Sequence, residues 1–365
     1  MCNDKFTVPE VFQAYYDCRK GKRNSYSQWE FEQNMERNLC QLTKELNNHS
    51  YTIGRTRAFV VTEPKYREVW AGQFRDRIVH HVLYNRIFDR FHRKFITDTY
   101  ACIPERGVLY GANRVHKMMR QATEGWQKKA YVLQADLANF FVSIDKDILK
   151  ELTLKRIEPD EPYLSWLVQY VIDHDPTQNP IVKSSDELFE MVPNHKSLFK
   201  SSENKGLPIG NLSSQYLANV YLNELDQFAK RTLKLRWYGR YVDDFVLIGH
   251  SIYELNEKFE QLKEFAQNNL DIRFHPNKTR RGLVHDGINF CGYILKPYRK
   301  YIRNKTAKKM KHLIDTKDSI TNDDFRIRMN SYLGHLQFSN SFNLRKNLAK
   351  RSMAWYGPDY LKVTK

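Results

Sequence analysis

No two cysteines in this chain are spaced as CxxC. The five present, Cys2, Cys18, Cys40, Cys102 and Cys291, are scattered, which excludes a zinc finger and a small disulfide framework. No apolar run approaches the roughly 20 residues of a membrane-spanning helix. The opening MCNDKFTVPEVF has no basic segment leading into an apolar core. Neither a membrane span nor a signal peptide is therefore expected, and a reducing cytoplasm is the expected setting. Internal repeats and low-complexity linkers are missing as well. Acidic residues are in deficit: 42 Asp and Glu face 59 Lys and Arg, a formal net charge of +17. Disorder is excluded by a composition that is 41% hydrophobic and 13% aromatic. A folded, aromatic-rich, basic protein suits a polyanionic partner, nucleic acid first. The plainer alternative is a basic surface that serves solubility alone.

Residues 8 to 50 read as helical, and 51 to 70 alternate apolar and polar as a hairpin would, with Pro64 as a breaker. FRDRIVHHVLYNRIFDRF sets Ile78, Val79, Val82, Leu83 and Phe91 on one helical face. AYVLQAD (130–136) reads as a short strand ending in an acid. Residues 159 to 204, rich in Pro, Asn, Ser and Lys, read as an irregular insertion. Ser213 and Ser214 open a helix; WYGRY and FVLIG form a hairpin; DIRFH and NFCGYIL are further strands. From Lys296 to Lys311 the chain is basic with no acid, and Tyr298 and Tyr301 are interleaved. That run suits phosphate contacts along a template–primer duplex. The order of elements predicts an α+β fold, an antiparallel sheet with helices on one face.

RYVDDFVLIG (240–249) sets two carboxylates between apolar runs. Adjacent like charges repel, and a solvated turn is the ordinary explanation. The alternative is a metal. Asp136 ends one strand, and Asp243 and Asp244 tip a hairpin. Carboxylates converging from two strands suit Mg²⁺, which takes hard oxygen ligands and keeps positions open for water and phosphate. Two such ions about 3.5–4 Å apart clamp an in-line phosphoryl displacement.

Read in order, the motifs resemble those of a reverse transcriptase. LQADLANFF is similar to the family's first metal-binding motif, and KGLPIGNLSSQ (205–215) to the motif under template and incoming nucleotide. YVDD matches the polymerase signature. HPNKT (275–279) and GINFCGYIL (287–295) resemble the two motifs that follow, and KYREVWAGQFRDRIVHH (65–81) the finger motifs. YACIPERGVLYGANRV (100–115) matches a finger motif only loosely. The resemblance implies a right-hand polymerase: an N-terminal helical region (1–50), fingers (51–129), a palm (130–295, with an irregular insertion around 173–204) and a helical thumb (296–365). It implies two Mg²⁺ ions, replaceable by Mn²⁺, on Asp136, Asp243 and Asp244, deoxynucleoside triphosphates as substrates, and template RNA and RNA/DNA hybrid as partners.

Further roles follow from the same resemblance. Arg67 and Arg75 would hold the triphosphate, because a guanidinium forks onto phosphate; a solvated face with ordinary ion pairs is the alternative. Phe141 would wall off the 2′ position of the sugar, although the neighbouring Phe140 offers a second ring and one of the two belongs to a core. Lys278 would neutralise pyrophosphate, or is a surface lysine. Gly206 and Gly210 would let backbone approach a ligand closely. His80 and His81, adjacent on a helix, face different directions and read as structural or RNA-facing. Most relatives carry Gln before the central glycine of the middle motif, and many end it in Pro. Here Ile209 and Gln215 stand at those places. That pattern, with NHKSLF (194–199) and SYLGHLQFSNSFNLRK (331–346), is similar to the diversity-generating retroelement group, which is bacterial or phage-encoded. This implies adenine-directed misincorporation and a basic accessory variability determinant protein as partner. The alternatives are a group II intron-like or retron-like enzyme, or an RNA-binding maturase with a dispensable polymerase centre. Intron enzymes commonly extend into a maturase region and a nuclease, for which little chain follows the thumb here. An RNA-dependent RNA polymerase is disfavoured by Phe141 and Val242.

Overall fold

The computed structural model describes residues 4–20, 25–63, 65–157 and 159–356. The Pro64 breaker and the end of the expected thumb lie outside them. Two compact units are interleaved along the chain. The first takes residues 1–97, 136–234 and 259–277, and the second 98–135, 235–258 and 278–365.

The first unit opens with α1 (Val8–Arg19), α2 (Tyr26–Glu32) and α3 (Met35–Asn47). A capping box starts α1: the Thr7 side chain accepts from the Glu10 amide, and Glu10 reaches back to the Thr7 amide. Strands β1 (Arg57–Val61) and β2 (Arg67–Ala71) pair antiparallel, with Arg57 opposite Ala71 and Val61 opposite Arg67. Then α4 (Phe74–His92) buries Ile78, Val79, Val82, Leu83 and Phe91, the stripe its spacing predicts, and Ile87 with them.

The chain enters the second unit with α5 (Val108–Ala122) and β3 (Tyr131–Asp136). Returning to the first, it forms α6 (Phe140–Ser143), α7 (Lys146–Leu154), α8 (Pro162–Asp173), β4 (Ile181–Val182), α9 (Asp186–Glu190) and α10 (Leu212–Gln227). Strand β4 adds parallel to β1. Residues 162–173, expected to be irregular, are helical. Leu164, Leu167, Val168 and Ile172 are buried at helical spacing, and Pro162 occupies the first turn, where its missing N–H costs nothing.

The second unit resumes with β5 (Trp237–Tyr241) and β6 (Asp244–Gly249). Helix α11 (Ile252–Leu270) follows, running from the second unit into the first. The second unit then adds β7 (Arg280–Leu283), β8 (Ile288–Phe290), β9 (Tyr293–Lys296), β10 (Arg299–Ile302) and helices α12 (Asn304–Asp315), α13 (Asn322–Leu336) and α14 (Phe342–Tyr356). One sheet runs β5-β6-β3-β7 and another β10-β9-β8. The β5–β6 and β3–β7 pairs are antiparallel, so the fold is α+β. Val115, Met118 and Met119 of α5 share a core with Val132, Trp237, Val246 and Ile248 of the sheet. DIRFH, expected as a strand, contributes only a bridge between Leu137 and Phe274. NFCGYIL is two strands, because Cys291 (φ 47°) and Gly292 (φ 82°) turn the chain between Phe290 and Tyr293.

Asp4 gives α8 the cap that its own sequence lacks. The Asp4 Oδ2 accepts from the Tyr163 amide (2.7 Å) and the Leu164 amide (3.1 Å), whereas Glu161 at the cap position makes no such bond. Arg86 Nη1 lies 3.3 Å from the Asp4 Oδ1. Asp4→Ala would strand two helix-terminal amides and remove one of the two carboxylates on Arg86, which keeps Glu10. The expected loss is about 2–3 kcal/mol, read as a lower urea midpoint at unchanged slope.

Candidate active site

Two of the three candidate carboxylates end strands of one sheet, and Asp243 lies in the turn before the second of them. Asp136 is the last residue of β3, Asp244 is the first of β6, and β3 and β6 are hydrogen-bonded neighbours. Beyond Asp136 the chain is pinned twice: its carbonyl accepts from the His275 amide (2.7 Å), and the Ala138 amide donates to the Arg273 carbonyl (2.8 Å). Tyr241 pairs with Asp244 across the hairpin, leaving Val242 and Asp243 as its turn. Val242 has φ 54°, a conformation strained for a β-branched residue. Phe245, Val246, Leu247 and Ile248 are buried, Asp136 and Asp243 are half-buried, and Asp244 is exposed. The apolar run thus anchors a tip that itself stays out of the core.

Asp244 also has an electrostatic reach. Burial, and next the Asp244 charge, push the Cys291 thiol well above its ordinary value. Burial, Cys291 and Cys102 raise Tyr241, with Asp244 contributing last. The β8–β9 turn thus feels the charge of the 243–244 tip.

Carboxylate oxygens with partial exposure are the donors that Mg²⁺ favours. Among the described residues no three His, Cys, Asp or Glu side chains close into a metal cage. An ion that keeps its waters and shares substrate phosphates does not require one.

The middle motif is stitched to β2. The Ile209 carbonyl accepts from the Trp70 amide (2.7 Å), and the Asn211 Oδ1 accepts from the Gly72 amide (3.2 Å). Glu68, buried, accepts from the Trp70 indole (3.2 Å) and the Leu198 amide (2.8 Å). Gly210 has φ 135°, and a Cβ there would lie 2.7 Å from the Trp70 carbonyl oxygen, so only glycine fits. The Ile209 side chain is half-buried and Gln215 is exposed at the start of α10. Neither belongs to the fully buried core. Asn211 was not apparent as a tether from sequence; an Asn directly before an apolar helix is the signal that marks it.

Of the two rings in NFF, Phe140 is the core residue at 2% exposure. Phe141 is half-buried, with its carbonyl fixed by the Leu207 amide (2.7 Å) and its ring 5.4 Å from that of Phe140. Arg67 is exposed at the start of β2. Arg75 is committed elsewhere: it pairs with Glu45, donates to the Thr52 carbonyl (3.2 Å) and lies over the Tyr51 ring at 4.8 Å. Burial lowers its guanidinium from the ordinary value, with the Asp76 charge opposing. Lys278 is exposed in the loop before β7. His80 is buried against Ser213 (Nδ1 to Oγ, 2.7 Å) and His81 is half-buried; the pair indeed diverges. Arg106 Nη1 donates to the Thr99 carbonyl (2.9 Å). On α12, Met310, Leu313 and Ile314 face inward while Lys305, Lys308 and Lys311 are exposed, an amphipathic helix with a basic outer face.

Acids thus stand at the end of β3 and at the turn that opens β6, strands that neighbour each other in one sheet. Residues 62–295 match the family model "Reverse transcriptase (RNA-dependent DNA polymerase)", and the chain belongs to that family. It is similar to protein YkfC of Escherichia coli (strain K12), with 23% identity over 287 residues that cover 68% of each chain. It also aligns with a solved structure of apo telomerase from Candida tropicalis truncated from its C-terminal domain. There the identity is 12% and the TM-score 0.45, over 68% of this chain and 55% of that one.

Proposed function

We propose that this chain copies an RNA template into DNA, with Asp136 and Asp243 as principal metal ligands and Asp244 as supporting acid. The observation that supports the reading is that Asp136 ends β3 and Asp244 opens β6, neighbouring strands of one sheet, with Asp243 in the turn before β6. Bound Mg²⁺ would lower the pKa of the attacking 3′-hydroxyl and neutralise the departing pyrophosphate. The chain's own residues bind and orient. Arg67, exposed, is read as a triphosphate contact, with Arg75 available only where its pairing with Glu45 yields, and Lys278, exposed, is read as neutralising pyrophosphate. Gly210 brings backbone close to the nascent pair, with Ile209 and Gln215 beside it, and Phe141 stands against the sugar. In this reading residues 51–129 act as fingers, 130–295 as palm and 296–365 as thumb, and the basic face of α12 tracks duplex phosphates. Among the described residues no helix is long and apolar enough to cross a membrane.

Within the family, the reading we favour is the error-prone polymerase of a diversity-generating retroelement, working with a small basic accessory protein. The support is IGNLSSQ. A Gln before the glycine could hydrogen-bond near the new base pair, whereas Ile209 can only pack, and unpaired polar groups are what penalise misfits. The test is to sequence cDNA made on the RNA transcribed beside the gene, with and without the neighbour-encoded protein. Errors concentrated at template adenines are expected. Ile209→Gln should lower them about tenfold, the worth of one hydrogen bond of about 1.4 kcal/mol. Evenly distributed errors would leave a group II intron-like or retron-like enzyme.

A further inference from the structure

Arg240, three residues before Asp243, is completely buried. A guanidinium in a protein interior is costly unless its donors are engaged. Its Nη1 donates to the carbonyl of Val242 at 2.9 Å. Its backbone is held on the other side of β5: the Arg240 amide donates to the Asp98 carbonyl (2.8 Å), and its carbonyl accepts from the Tyr100 amide (3.0 Å). Arg114 Nε and the Tyr100 hydroxyl fix the Asp98 carboxylate at 2.8 and 3.1 Å. Gly239 makes room for this layer, since a Cβ there would lie 2.3 Å from the Tyr100 hydroxyl oxygen. The chain therefore fixes the end of the strand that leads into one turn. That turn contains Val242, whose positive φ a valine adopts only under restraint.

We infer that Arg240 is a positioning residue whose guanidinium clamps the Val242 carbonyl, holding the turn in the conformation that presents the carboxylates of Asp243 and Asp244. The inference rests on the reading of those acids as metal ligands. Lysine keeps the charge at Arg240 but not the planar fork, so Arg240→Lys separates clamping from charge.

The experiment uses the full chain as wild type, Arg240→Lys, Val242→Gly, the double variant and Asp243→Ala. It reads amide exchange at 241–245 without metal, Mn²⁺ binding by electron paramagnetic resonance, and steady-state kinetics. In the wild type, the amides of 242–244 should exchange at least about tenfold slower than an unstructured chain. In Arg240→Lys that protection and Mn²⁺ affinity should each fall about tenfold or more, as for loss of a charged hydrogen bond. kcat should fall comparably, with the KM for deoxynucleotide within about twofold. Val242→Gly relieves the strain, so adding Arg240→Lys to it should cost about threefold or less. Unprotected turn amides in the wild type overturn the clamp without any variant having to fold. So does an Arg240→Lys protein with unchanged protection and Mn²⁺ affinity, or an equal cost in both backgrounds. If Asp243→Ala still binds Mn²⁺ and polymerises normally, the metal reading falls; the metal-free exchange result then still decides the clamp.

Discussion

Asp243→Ala should abolish RNA-templated DNA synthesis while leaving RNA binding in place. A metal ion stabilises transition-state charge by several kcal/mol. At about 1.4 kcal/mol per decade, a loss of about 4 kcal/mol lowers kcat about 10³-fold. Asp243 lies in a two-residue turn and is half-buried, so removing its carboxylate leaves no large cavity and the chain should still fold. Affinity for nucleic acid comes chiefly from basic side chains meeting phosphates, and in the proposed reading the exposed lysines of α12 are among them. Primer extension and filter binding on the same preparation separate the two effects. Extension that survives the substitution would favour an RNA-binding protein with a dispensable polymerase centre.

Phe141→Ala should admit ribonucleotides. A ring against the sugar rejects a 2′-hydroxyl by overlap, and forcing one extra heavy atom into a packed site costs about 1–3 kcal/mol. The ratio of deoxy- to ribonucleotide kcat/KM should therefore fall between about fivefold and 150-fold. Phe140 supplies the control: it is 2% exposed, so Phe140→Ala should lower stability by about 3–5 kcal/mol without selectively favouring ribonucleotides. Unchanged discrimination in Phe141→Ala would remove that ring from the sugar contact.

The hairpin around Asp243 is legible in RYVDDFVLIG because apolar residues fill both arms and two polar positions interrupt them. The buried face of α4 is legible from its spacing. Helix α8 is not, because the Pro, Asn and Ser around it mask four apolar residues at helical intervals, and its cap comes from Asp4, more than 150 residues earlier in sequence. The β8–β9 turn is hidden because Cys291 takes a backbone conformation usually left to Asn or Gly. Choosing between Phe140 and Phe141 also needs three dimensions, since neighbours in one short helix differ only in what packs on them. The burial of Arg240 escapes any local reading. An arginine in a strand is ordinarily an exposed one, and the residues that pair with the backbone of this one, Asp98 and Tyr100, lie about 140 positions away.

The bridge between Thr99 and Arg240 has a second consequence. β5 is the outermost strand of its sheet, and an open margin of that kind templates strand addition and aggregation. Here the main-chain groups of Arg240, near the end of β5, are already paired with the 98–100 segment. A foreign chain arriving at that margin finds the Arg240 position taken.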